Sequence, residues 1–159
     1  MIEKIKRNKR NATIFLALVG VAVMAAYGTC SEACNYLQGS LYGVDLKYVG
    51  ILYMGLVLVF GAVRHDAVCL VLLSAGMGGE AFLVGYQALN GVFCAFCLAF
   101  AMVVVILFII HFEKVNLRAA MLFAAAGFLL FLMFFSGLVT PVYAGEDWMP
   151  FDYPIGPGS

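Results

Sequence analysis

Residues 67–110 read AVCLVLLSAGMGGEAFLVGYQALNGVFCAFCLAFAMVVVILFII, and apart from cysteine and tyrosine their only ionisable side chain is that of Glu80. As a single helix, ~44 residues at 1.5 Å each would reach ~66 Å, about twice the hydrocarbon core of a bilayer. The stretch must therefore fold back on itself, and Asn90-Gly91 is the strongest turn signal inside it. This predicts one helix near 67–89 and a second near 92–110.

Working outward, residues 12–29 carry no charge, residues 48–63 form another apolar run extended at its start by Leu46 and Lys47, and a last run covers about 117–140. The expectation is an all-α membrane protein of five transmembrane helices around a four-helix bundle. Composition agrees, with 65% hydrophobic and 11% charged residues and a mean hydropathy of +1.03. A soluble domain is roughly half apolar and about a quarter charged, so a water-soluble globule is excluded. β-Barrel strands of ~10 residues with alternating polarity are also excluded, because these runs are continuously apolar. Nine basic and nine acidic residues cancel, which removes a general electrostatic case for nucleic acid as a partner.

Cytoplasmic flanks of membrane helices collect Lys and Arg. Lys4, Lys6, Arg7, Lys9 and Arg10 hold the N-terminus inside, and five crossings put Arg64, Lys114 and Arg118 on that same side, with Lys47 outside. The chain then divides into a basic cytoplasmic start (1–11), a membrane domain (12–140) and an extracytoplasmic tail (141–159) that holds all four prolines. Tyr143, Trp148, Phe151 and Tyr153 suit that tail to the headgroup layer, as an interfacial anchor or as a functional lid. The start could also be read as a secretory signal ending at Ala26-Tyr27-Gly28, although ~18 uncharged residues exceed the usual ~7–15 of a signal core.

Of five cysteines, Cys30 and Cys34 fall at and just past the outer end of the first helix, and Cys94 and Cys97 in the first turns of the fourth. This topology places all four on the side where disulfides persist. Cys69 falls near the inner end of helix 3 and is read as a small buried hydrophobe. A C-x-x-C at a helix N-terminus has a chemical consequence. With Asn90 as the cap, unpaired N–H groups and the helix dipole stabilise a thiolate at Cys94. Cys97 lies ~4.5 Å deeper along the axis, nearer the hydrocarbon. Such a pair can join thiol–disulfide exchange at the surface to a hydrophobic electron carrier, and Cys30 and Cys34 would be the other half of that relay. Two alternatives stand beside it: a structural disulfide, and a four-thiolate metal site in a transporter or binding protein for a soft metal. Against transport, helix 4 beyond Cys97 carries no second ligand pair leading inward. His65 and His111 both fall on inner loops and are read as surface histidines.

Glu80 is the one acid inside a membrane helix, and such residues are costly enough to be functional candidates. At ~20 Å from the inner end of its helix it reaches the level of Cys97. Glu80, Gln87 and Gly91 share a helical stripe with Leu83 and Val84 between them, which faces the bundle. Either Glu80 or Gln87 is expected to line a pocket there, or Glu80 to tie helices together as a protonated carboxyl. Tyr53, about five residues into helix 2, reaches a similar depth, as a pocket contact or as packing. The small residues of helix 3, among them Ser74, Gly78 and Gly79, allow close helix approach.

Five membrane helices, a cysteine pair in the first outer loop and the segment FLVGYQALNGVFCAFCLAF resemble the vitamin K epoxide reductase family in its prokaryotic form, over about residues 12–140. The order supports this: the loop pair comes first and the helix C-x-x-C last, whereas other disulfide-forming quinone reductases have the reverse. The resemblance implies a quinone-dependent thiol–disulfide oxidoreductase of the prokaryotic inner membrane that supplies disulfide bond formation. Cys94 and Cys97 match the family's active-site pair, with Cys97 beside the quinone, of ubiquinone or menaquinone type. Cys34 matches the loop cysteine that attacks their disulfide, and Cys30 the one that takes electrons from a thioredoxin-fold partner. Three departures stand out. The loop cysteines are four apart, closer than usual. No thioredoxin-like domain follows in the ~19 residues after helix 5, so the partner is expected to be a separate protein. No polar quinone-holding residue matches at Leu46, Lys47 or Tyr48, which tells against epoxide chemistry.

Overall fold

A computed structural model describes residues 2–29, 37–91, 94–112 and 117–139. It is mostly helical, with five helices: α1 (Ile2–Thr29), α2 (Leu46–Ala62), α3 (Asp66–Asn90), α4 (Ala95–His111) and α5 (Leu117–Phe134). Three of them are long and apolar enough to cross a membrane, over Asn8–Thr29, Asp66–Asn90 and Leu117–Phe134. The 17-residue α2 and α4 are shorter apolar helices.

The first four helices close a ring, α1 packing on α2 and α4, and α3 on α2 and α4. Its centre is filled by Ala17, Met24, Met54, Val57, Leu73, Phe100, Val104 and Leu107. α5 lies outside the ring against α3, the most extensive helix contact in the molecule. Small residues make that approach possible, as expected from helix 3. A methyl group added at Gly78 would collide with the Ala124 carbonyl, and one at Gly127 with the Ala75 carbonyl. The rest of α5 is apolar and open, with Leu122, Leu132 and Met133 largely exposed. An apolar exposed helix face of this kind suits lipid.

The α2–α3 turn falls where the sequence places it, around Arg64 at φ +64°. The Asn90-Gly91 turn is also as read, with Gly91 at φ +66° capping α3 in the left-handed region where glycine has no Cβ penalty.

Two features go beyond the expectation, and the second corrects its all-α class. α1 begins ten residues before the apolar run at Ala12, so the basic start is helical too. The fifth helix, expected to reach 140, stops at Phe134, and the chain continues as a strand, β3 (Phe135–Val139). Together with β1 (Leu37–Leu41) and β2 (Val44–Asp45) it forms a small antiparallel sheet in the order β2-β1-β3. Tyr42 (φ 55°) and Gly43 (φ 79°) form the two-residue hairpin turn, whose positive φ angles match the right-handed twist of the strands. β3 meets β1 along its whole length, from Leu37 opposite Val139 to Leu41 opposite Phe135. The apolar run FFSGLV does not reveal its state by periodicity. Pairing with a strand almost a hundred residues away decides it.

Candidate functional site

The site grows from the junction of α3 and α4. Cys94 precedes α4 in an extended conformation (φ −94°, ψ 114°) and is itself the N-cap, its sulfur accepting from the Cys97 N–H at 3.4 Å. This corrects the expectation that Asn90 caps the helix and Cys94 lies inside it. Asn90 is the last residue of α3, and its side-chain amide donates to the Tyr86 carbonyl at 2.8 Å. A thiol can replace the usual Ser or Asp at a cap because sulfur accepts from the same orphan N–H, three residues on. The pKa of Cys94 falls from 9.0 to about 6. Its neighbour's side chain, Cys97, is the main cause, and the Cys97 and Phe96 backbone N–H groups add to it against the opposing effect of burial. Cys94 is therefore set up as the thiolate of the pair at neutral pH.

Gln87, fully buried on α3, accepts the Cys94 backbone N–H at 2.8 Å through Oε1. Its Nε2 is buried without a hydrogen-bond partner. Gln87 thus ties the C-x-x-C cap to the preceding helix, seven residues back, and does not line the pocket in which Glu80 sits.

Cys94 and Cys97 are both buried and form a small cluster with Tyr27 of α1, Tyr86 of α3 and Phe96. The Tyr27 and Phe96 rings lie 6.3 Å apart. The Tyr86 hydroxyl donates to the Gly137 carbonyl of β3 at 3.3 Å, so the sheet is attached at the same end of the bundle as the cysteines.

Inward from this cluster a cleft receives residues from all five helices. Its lining includes Met24, Tyr53, Glu80, Cys97, Phe100 and Phe131. Cys97 reaches it and Cys94 does not. Tyr53 is fixed there by donating from its hydroxyl to the Leu72 carbonyl at 3.2 Å and by a tilted ring contact with Phe100 at 6.4 Å. A mostly apolar cleft with a few convergent polar groups is the usual form of a small-molecule site. Its composition suits a flat, apolar ring bearing carbonyl oxygens, with the Glu80 carboxyl as a polar contact.

Cys30 and Cys34 lie outside the described residues. The chain on either side of them is placed: Thr29 ends α1 two residues after Tyr27, and Leu37 begins β1. Among the described residues, no group of three or more His, Cys, Asp or Glu could hold a metal ion, and the four-thiolate alternative includes Cys30 and Cys34, which lie outside them. Cys69 is a free, fully buried thiol in the first turn of α3, away from the cleft. Lys47, the basic residue expected outside, pairs with Asp45 at 3.2 Å beside the start of α2.

His111 corrects the surface reading. It is 4% exposed and hydrogen-bonded to Thr13 at 2.9 Å, because α4 ends against α1 and covers it. His65 is exposed at the N-cap of α3. Residues that sequence reasoning did not single out are Tyr86, Met24 and Phe131. Tyr86 precedes Gln87 and lies four residues before Asn90, which was a signal at hand. Met24 and Phe131 carried none, since either could have faced outward. No family model, curated protein or solved structure matches the chain.

Proposed function

We propose that the chain is a membrane thiol–disulfide oxidoreductase of the vitamin K epoxide reductase type. It crosses the prokaryotic inner membrane five times and passes electrons from a thioredoxin-fold protein dithiol to a quinone of ubiquinone or menaquinone type. The observation that carries this reading is the division of one C-x-x-C between two environments. Cys94 caps the helix as a low-pKa thiol, while three residues on Cys97 opens on an apolar cleft shared with Tyr53 and Glu80. Surface exchange needs the first environment and a membrane-dissolved oxidant the second.

In this reading the basic start of α1, Arg64 and the end of α4 face the cytoplasm, which puts the cysteine end on the extracytoplasmic side. α2 and α4 sit at the lower end of the ~17–25 residues a crossing takes. A separate thioredoxin-fold partner in its dithiol form reduces a Cys30–Cys34 disulfide and leaves oxidised. The Cys34 thiolate then attacks the Cys94 sulfur of a Cys94–Cys97 disulfide, releasing the Cys97 thiolate. Cys30 resolves the mixed disulfide, which restores Cys30–Cys34 and leaves Cys94 as a thiolate held by its cap. Two electrons leave when the Cys94 and Cys97 thiolates join again, and the two protons are those that the Cys30 and Cys34 thiols gave up on becoming thiolates. A quinone held beside Cys97 would supply the two-electron, two-proton sink. Tyr53 orients the ring, Gln87 holds the cap in register, and Glu80 is the group within the cleft that can give or take a proton.

Mixing the purified protein with a quinone and a reduced thioredoxin-fold protein tests the reading. Quinol formation that stops in Cys97→Ser and in Cys34→Ser is the expected result. Turnover that survives Cys97→Ser overturns it, and stoichiometric metal held by all four thiols would favour the soft-metal reading instead.

A further inference from the structure

At the opposite end of the bundle from Cys94, a polar cleft is lined by Lys9, Arg10 and Thr13 of α1, Gly61 and Arg64 near the α2–α3 turn, Asp66 at the start of α3, and His111. Three fixed positive charges stand there against one carboxylate.

The hydrogen bonding in this cleft is incomplete. The Thr13 hydroxyl donates its one proton to the Lys9 carbonyl at 2.9 Å, so it accepts from His111 Nε2–H, also at 2.9 Å. The His111 side chain is 2% exposed, and its Nδ1 is left without a hydrogen-bond partner. Arg10 Nε is likewise buried and unpartnered. Among the described side chains Asp66 is the acid available, and its Oδ1 stands 3.8 Å from both Lys9 Nζ and His111 Nδ1, too far for a hydrogen bond to either. With its side chain 63% exposed, it balances part of the charge and satisfies neither orphaned atom. Burying the Arg10 Nε–H without a partner costs free energy that a ligand with several acceptor oxygens would recover, whereas His111 Nδ1, the bare nitrogen of this tautomer, is itself an acceptor and gains nothing from them.

We infer that this cleft binds the phosphate group of an anionic lipid headgroup, seated between Lys9, Arg10 and Arg64 with Arg10 Nε–H donating to a phosphate oxygen. Phosphate has the matching chemistry: a compact anion whose oxygens accept from an arginine fork and an ammonium together. The position favours the lipid over a soluble phosphate. The cleft lies where apolar α1, α3 and α4 end in basic and polar residues, the level at which headgroups meet a membrane helix. Asp66 occupies the edge of the site and competes with the ligand for Lys9.

The experiment uses the full chain in mixed micelles of phosphatidylglycerol and phosphatidylcholine, with retained lipid counted by native mass spectrometry. Phosphatidylglycerol is expected to be retained over phosphatidylcholine. Lys9→Gln and Arg64→Asn should each weaken that retention about fivefold, as loss of one basic group beside an anionic headgroup does. Asp66→Asn should strengthen it. Asn tolerates the positive φ at position 64, so a loss in Arg64→Asn is read as lost binding once its thermal unfolding matches the parent. Equal retention of the two lipids, or retention unchanged in both charge variants, overturns the site. Displacement by inorganic phosphate at equal concentration overturns the lipid assignment and gives the cleft to a soluble phosphate compound.

Discussion

The two ends of the bundle bury polar groups in opposite ways. Around the C-x-x-C the polar contacts are short and come from backbone N–H groups and one side-chain amide. Gln87 Oε1 takes the Cys94 N–H at 2.8 Å, and the Cys94 sulfur takes the Cys97 N–H. At the other end five charged or titratable side chains gather, and their closest ion pairs are 3.8 Å long. A cap made by short amide contacts holds a reactive sulfur in one place. A loose charged cluster leaves room and field for something to enter. In the proposed reading the first end carries the chemistry and the second binds.

The largest effect that would sharpen this contrast is on turnover. Cys97→Ser should abolish quinone-coupled oxidation of a protein dithiol, whereas Lys9→Gln, at the far end, should leave it intact. Equal losses in both variants would erase the distinction.

Next comes stability. Gln87→Leu strands the buried Cys94 N–H and should cost ~1–3 kcal/mol, read by thermal or denaturant unfolding in detergent. A neutral result would mean that the cap stands without α3.

The third effect is on reactivity. In a variant with Cys30, Cys34 and Cys69 replaced by serine, a charged thiol reagent should modify Cys94 with a midpoint near pH 6 in place of 9. The sign follows from the lowered pKa: the reactive thiolate is present above about 6 and is lost to protonation below it. A rate still rising through pH 9 would show that the cap does not hold a thiolate.

The smallest effect belongs to the charged end. Asp66→Asn removes long, solvent-screened pairs and should change stability by less than ~1 kcal/mol. A larger loss would make that cluster a structural clamp and blur the comparison.

Much of this arrangement is written locally. Apolar runs separated by Arg64 and by Asn90-Gly91 mark the helices, because water and backbone polar groups leave a long apolar segment few other forms. The depth of Glu80 follows from 1.5 Å per residue, and it does share a cleft with Tyr53 and Cys97. Gln87 was visible as a polar residue on the inward stripe of α3, but its partner was not. Whether a stripe residue turns toward the cleft or toward the next helix N-terminus depends on the rotation of α3 against α4. The burial of His111 was hidden for a similar reason, since the end of α4 meets α1 only after the ring closes.

Composition and charge order alone therefore dictate an apolar helical bundle with a C-x-x-C at one end of a helix and basic residues at the opposite end. Both follow from short-range physics, the transfer of side chains out of water and the rise of a helix. Long-range contacts settle the remainder: that Cys94 caps α4 while Cys97 faces a cavity, that residues 135–139 leave the helix to pair with β1, and that Lys9, Arg10, Arg64 and His111 surround one cleft. Each depends on segments far apart in the chain meeting in a particular rotation and register, which no local pattern encodes.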